Sequence, residues 1–125
     1  MLSNNESFSS FSVNDLAKAK EFYSQTLRLK VSKGTMGTLS LQTGGAQPIV
    51  IYPKADHIPA TFTVLNFYVD DIVETVKQLV GRGVPFEHYE GDLKTDEQGI
   101  FRGDGPLIAW FKDPAGNILS VIEKK

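Results

Sequence analysis

An α+β fold made from two copies of one strand–helix–strands unit is what this 125-residue chain predicts. Three observations carry the prediction. Val13-Asn14-Asp15-Leu16 opens a helical stretch running through Phe22-Tyr23, and Val69-Asp70-Asp71-Ile72, 56 positions further on, opens another running to Leu79-Val80. Each helix follows a short stretch of alternating polarity, and each is followed by further strand patterns. A duplicated unit of this size buries its core by pairing with its copy, which leaves two sheets facing a shared cleft where function is to be sought.

The strand before the first helix alternates Phe8, Ser10, Ser12 against Ser9, Phe11, Val13. The strand before the second alternates Val64, Asn66, Tyr68 against Leu65, Phe67, Val69. In both, the face ending in Phe11-Val13 or Phe67-Val69 is the apolar one and packs under the helix, so the other face looks into the cleft. The first helix puts Leu16, Ala19, Phe22, Tyr23 and Leu27 on one stripe and starts at a cap from Asn14 or Asp15. The second puts Ile72, Val76, Leu79 and Val80 inward. Asp71 followed by Glu74 approximates a capping box there, and Gly81, Gly83 and Pro85 end the helix. Further strands are expected at 39–43, 49–52, 86–89, 107–111 and 118–122, with another near 30–33. Gly44-Gly45 reads as a turn and Pro53 to Pro59 as the linker between copies. Gly91 to Pro106 is long for a hairpin loop and reads as a lid or as a slack surface loop.

Composition bounds the rest. Two independent domains of half this length would each be marginal, so 1–125 is expected to fold as one domain of two modules, about 6–55 and 61–124. The formal net charge of −2 argues against nucleic acid as a partner. No apolar run approaches the ~20 residues of a membrane span, and the opening Met1-Leu2-Ser3-Asn4-Asn5-Glu6 lacks a basic, then apolar, leader pattern. A cytoplasmic protein with no membrane partner is expected. The absence of cysteine excludes disulfides, thiolate metal sites and a cysteine nucleophile.

Asp113-Pro114-Ala115-Gly116-Asn117 before Ile118-Leu119, with Trp110-Phe111 just ahead, is the most specific local signature. Pro114 fixes φ, Gly116 permits positive φ, and Asn117 can bond its own backbone. With the helix entries at Asp15 and Asp71, the Phe22-Tyr23 pair and Gly83-Val84-Pro85-Phe86, the chain resembles the vicinal oxygen chelate superfamily. That group includes glyoxalase I, extradiol dioxygenases, fosfomycin-resistance enzymes and bleomycin-resistance binding proteins. The resemblance implies two tandem βαβββ modules whose curved mixed sheets form the cleft, and a homodimer. It also implies a glycine at the end of the first helix, where this chain has Leu27-Arg28-Leu29. A left-handed Arg28 would cost about 1 kcal/mol relative to glycine.

In metal-dependent relatives, the resemblance implies donors about seven residues before each capping aspartate and a glutamate on the last strand. Those positions are Phe8, Val64 and Ser120, and the last strand of the first module, within Ala46 to Lys54, contains no Asp, Glu or His. Phe8 and Val64 cannot ligate, and a neutral hydroxyl is a poor donor. A slip of one residue reaches Ser7, Ser9, Thr63 or Leu65, which are no better. No metal and no cofactor are therefore expected. His57 reads as a linker residue. His88 alternates with Glu90 on one strand face, a solvated strand end rather than a site, and Arg102-Gly103-Asp104 reads as a turn rather than an adhesion motif.

The leading expectation is a metal-free small-molecule-binding protein of the sequestering, bleomycin-resistance-like kind. Its cleft would be lined by Phe8, Ser10, Ser12, Val64, Asn66, Tyr68 and Ser120, with Tyr52 and Trp110 as stacking surfaces, for an uncharged or aromatic ligand. Plain core packing is the competing role for Trp110. A glyoxalase-like lyase or dioxygenase-type enzyme with a non-standard active site is one alternative, with Tyr68, His88, Glu90 and Asp104 the available acids and bases and no convincing pair among them. A degenerate structural member whose cleft is filled by its own side chains is the other.

Overall fold

Each half of the chain runs strand, helix, three strands in the computed structural model, which describes residues 1–124. The chain divides into two units, Met1–Ile58 and Pro59–Lys125. The first holds β1 (Ser10–Val13), α1 (Leu16–Glu21), β2 (Lys30–Lys33), β3 (Leu39–Gln42) and β4 (Ile49–Pro53). The second holds β5 (Thr63–Val69), α2 (Ile72–Gly81), β6 (Ile100–Phe101), β7 (Ile108–Lys112) and β8 (Ile118–Glu123). Their sheets have the orders β1-β4-β3-β2 and β5-β8-β7-β6, with first and last strands parallel and the other neighbours antiparallel. This is the duplicated α+β plan that the sequence predicts.

In the first unit, Phe11, Val13, Leu39, Leu41 and Ile51 form the buried face and meet Ala19 and Tyr23. The Tyr23 ring lies 6.2 Å from that of Phe11 and edge-on to Phe22 at 5.1 Å. The predicted stripe is therefore present, but the helix ends differently. After Glu21 the chain widens into a π turn over Phe22–Thr26, with Leu27 N–H bonded to Phe22 C=O at 2.9 Å and Leu29 N–H to Tyr23 C=O at 2.9 Å. Arg28 takes the left-handed conformation at φ 59°, so a non-glycine residue sits where glycine is favoured.

In the second unit Ile72, Val76 and Leu79 are buried with Ala109, Phe111, Leu119 and Val121. Val80 is instead 54% exposed, because it falls one step around the helix from that stripe. Asp71 caps α2 as expected, and of the two candidates for α1 it is Asp15 that caps; they accept from the N–H of Glu74 and Lys18 at 3.1 Å. A further acceptor for α2 comes from the sheet, where Glu123 Oε2 takes the Ile72 N–H at 3.1 Å.

Two expected elements are corrected. The predicted strand at 86–89 is a single bridge, Phe86 to Phe111, because Glu87 N–H still bonds Trp110 C=O whereas Tyr89 is diverted to Thr95. The Gly91 to Pro106 stretch is folded rather than a plain loop. It contains a 3-10 turn at Gly91–Leu93 and the strand β6, and Asp96 organises it by accepting the N–H groups of Gln98 at 2.8 Å and Ile100 at 2.9 Å.

Candidate functional site

Cross-strand partners share a sheet face, so the registers place the predicted site residues row by row. In the first unit Ser12 lies opposite Tyr52 and Ser10 opposite Val50 on the face away from α1. Phe8 precedes β1 and is 65% exposed. In the second unit Asn66, Ser120 and Trp110 form one row across β5, β8 and β7. Ser120 is fully buried, and its hydroxyl donates to Asn66 Oδ1 at 2.5 Å. Tyr68 lies opposite Ile122 and is 76% exposed.

Val64 does not share the row. Thr63 pairs with Ile118 and Leu65 with Leu119, so a β-bulge makes Val64 the surplus residue. Thr63 is the residue turned toward Trp110, whose indole N–H it accepts at Oγ1 over 3.2 Å.

These residues do not fit the metal site that the resemblance implies. Phe8 and Val64 offer no donor atom, and the Ser120 hydroxyl is engaged with Asn66. Among the described residues no group of three or more His, Asp or Glu side chains is placed to hold a metal ion. The candidate acids and bases are also dispersed. His88 and Glu90 share no strand, since none forms there, and Arg102 of the Arg-Gly-Asp triplet pairs with Asp96 at 2.9 Å.

Two arrangements were not legible in the sequence. The first involves the linker histidine, which is half-buried, with its Nδ1 2.6 Å from Ser12 Oγ. The second is a groove of about 880 Å³ in the second unit, between the chain entering β5 and the connection that follows α2. Phe62, Thr63, Tyr89, Trp110 and Ile118 supply its walls, while Pro59 and Gly116 close one side. Trp110 is only 8% exposed and packs against Tyr89 at 5.4 Å and Phe101 at 6.1 Å, so it is both core and wall. Of the residues predicted to line the cleft, Trp110 alone lines this groove; Glu90, considered as an acid or base, lies on its rim.

Local structure sets the walls. Tyr89 is locked by a reciprocal pair of bonds to Thr95, its N–H to Thr95 Oγ1 at 2.9 Å and its C=O from Thr95 N–H at 3.0 Å. Burial, reinforced by the charge of Glu87, raises the Tyr89 phenol above its ordinary value, which keeps it a neutral hydroxyl. Gly116 has φ 85°, and a Cβ there would meet Pro59 at 3.1 Å. The hub of its turn is Asp113. The buried Asp113 carboxyl accepts the N–H groups of Ala115 and Asn117 and the Asn117 side-chain amide, each at 2.9 Å. Glu87, Glu90, Asp92 and Lys112 complete the rim, with Lys112 Nζ 3.4 Å from Glu87 Oε1.

The model of the Glyoxalase/Bleomycin resistance protein/Dioxygenase superfamily matches residues 9–121. Solved structures with the same fold include TnmS3, an antibiotic binding protein from Streptomyces sp. CB03234, at TM-score 0.70 and 23% identity over 98% of each chain. A lactoylglutathione lyase from Agrobacterium tumefaciens superposes at TM-score 0.69 with 21% identity, covering 96% of this chain and 93% of that one. A glyoxalase/bleomycin resistance protein from Streptomyces sp. CB03234 does so at TM-score 0.66 and 23% identity, covering 94% and 99%. No curated protein sequence matches the chain.

Proposed function

The chain belongs to the Glyoxalase/Bleomycin resistance protein/Dioxygenase superfamily, and from that premise we propose that it is a metal-free, sequestering small-molecule-binding protein. The observation that carries this reading is the aromatic-walled groove around Trp110. Its volume of about 880 Å³ falls within the range of roughly 300–1,000 Å³ typical of small-molecule sites. Its walls combine flat apolar surface with a few oriented polar atoms, the pattern that binds a ring system. The donor-poor positions Phe8, Val64 and Ser120 favour binding over metal-assisted chemistry. Antibiotic binding by one protein of the same fold is in keeping with this reading.

The test is equilibrium dialysis of the purified protein against a panel of aromatic natural products, with and without a chelator. At least one compound should be retained, recovered chemically unchanged, and held equally well with chelator present. Phe62→Ala, which trims an exposed wall residue, should weaken retention about ten-fold, a loss near 1.4 kcal/mol. Conversion of the compound, or a requirement for added metal, would transfer the protein to the enzymes. Retention of nothing would favour a structural member. The proposed assembly is a cytoplasmic homodimer, since β2 ends its sheet and leaves an edge to cover. Light scattering that returns the monomer mass at tens of micromolar would remove the dimer from this reading.

A further inference from the structure

We propose that the groove beside Trp110 selects flat ligands that carry a positive charge. This rests on the small-molecule reading above and adds the ligand class to it. The wall comes first: Tyr89, Trp110 and Phe62 present aromatic surface along one groove, and the Trp110 N–H is already satisfied by Thr63. With that donor engaged, the small part of the indole that borders the groove has no N–H left for a guest, and the exposed ring of Phe62 supplies open aromatic surface. The negative face of an aromatic ring attracts a cation lying over it, most strongly for tryptophan.

The rim then decides the sign of the guest. Three carboxylates, Glu87, Glu90 and Asp92, border the groove against the single ammonium of Lys112. Lys112 is held at Glu87, which leaves Glu90 and Asp92 on the mouth and exposed to solvent. An anionic guest would therefore meet repulsion at the entrance, and a neutral guest would gain only the wall. A cationic ring system gains both wall and rim. The sheet-face residues considered from sequence, serines and an amide, suggested an uncharged ligand, but the rim residues come from a connection that lies outside that pattern.

Three probes sharing one ring system separate these possibilities: 9-aminoacridine, a cation at neutral pH; acridine, which is neutral; and acridine-9-carboxylate, an anion. Binding is measured by isothermal calorimetry on the full chain at low and high salt. The cation should bind about ten-fold or more tighter than acridine, and the anion weakest of the three. The cation's advantage should shrink with added salt, as charge attraction at an exposed rim is screened. The double variant Glu90→Gln/Asp92→Asn should cut the cation's advantage over the neutral ring at least several-fold, leaving only what the aromatic wall supplies, while Phe62→Ala should weaken all three. Equal binding of cation and neutral ring, preference for the anion, or a cation preference undiminished by the double variant overturns the inference and leaves the small-molecule reading standing. Failure of all three probes to bind overturns both.

Discussion

The two modules share a backbone plan and differ in what they present on it. The row Ser10, Val50, Ser40 in module 1 occupies the same sheet positions as Asn66, Ser120, Trp110 in module 2. One row is small and hydroxylic; the other carries the chain's sole indole and a buried hydrogen-bonded pair. The turn before the last strand differs as well. In module 1 it is an exposed glycine turn in which Thr43 Oγ1 accepts the Gly45 N–H at 3.2 Å, whereas in module 2 it is the buried Asp113 hub. Duplication thus supplied two equal scaffolds, and side chains together with one long connection built the groove beside Trp110 on the second.

The sharpest test of that asymmetry sits in the paired turns. Asp113→Ala removes a buried carboxyl that organises three donors and should cost about 3 kcal/mol in urea denaturation, since stranded buried donors lose roughly 1–3 kcal/mol each. Thr43→Ala, at the matching turn, should cost less than about 0.5 kcal/mol because the bond it loses is exposed. Equal costs would mean that the two turns are energetically alike.

The helix ends come next. Arg28 at φ 59° and Gly83 at φ 87° occupy left-handed positions after α1 and α2. Arg28→Gly should therefore raise stability by about 1 kcal/mol and Gly83→Ala lower it by about the same amount. A destabilised Arg28→Gly variant would show that the arginine side chain offsets its own backbone strain. Glu123→Ala probes the sheet-derived cap of α2 and should cost about 1 kcal/mol, as loss of an N-terminal acceptor does. Module 1 has Pro53 at the end of the corresponding strand and offers no such carboxylate.

The smallest expected effect is a local pH dependence around Asp96 in module 2. Desolvation alone would raise the Asp96 carboxyl, but the Ile100 N–H, the Arg102 guanidinium and the Gln98 N–H outweigh it and hold the group below its ordinary 3.8. A depressed folded-state value means that Asp96 contributes fully above the unfolded value and ceases to contribute as pH falls through the folded one. Hydrogen exchange at Gln98 and Ile100 should accelerate below about pH 4 relative to exchange in β3. Asp96→Asn should abolish that difference, and an unchanged pH profile in the variant would assign the effect elsewhere.

The contrast also explains what could be read in advance. Helix starts, the two-residue alternation and the glycine at position 116 are local properties, so the duplicated fold and both aspartate caps were legible. Val64 was misphased because counting back from Asp71 assumes an unbroken strand, and a single surplus residue changes which side chain faces Trp110. The long segment at 91–106 concealed β6 because a two-residue strand has no period to detect. The Ser12–His57 contact joins residues 45 apart, and the Trp110–Thr63 bond joins residues 47 apart. Such meetings depend on where the backbone returns, which spacing along the chain does not encode. The groove combines several of them, and of its walls only the tryptophan stood out as a candidate.

The placement of that tryptophan also gives the protein a built-in optical label. A single indole, 8% exposed and with its N–H already bonded, should emit at short wavelength. Tyr89, 5.4 Å away, should pass its excitation to the indole, so ultraviolet light absorbed along that wall is reported from one point. A guest ring settling in the groove would quench that emission without any dye attached. Unfolding would shift it to longer wavelength, which distinguishes an occupied groove from a lost one in the same cuvette.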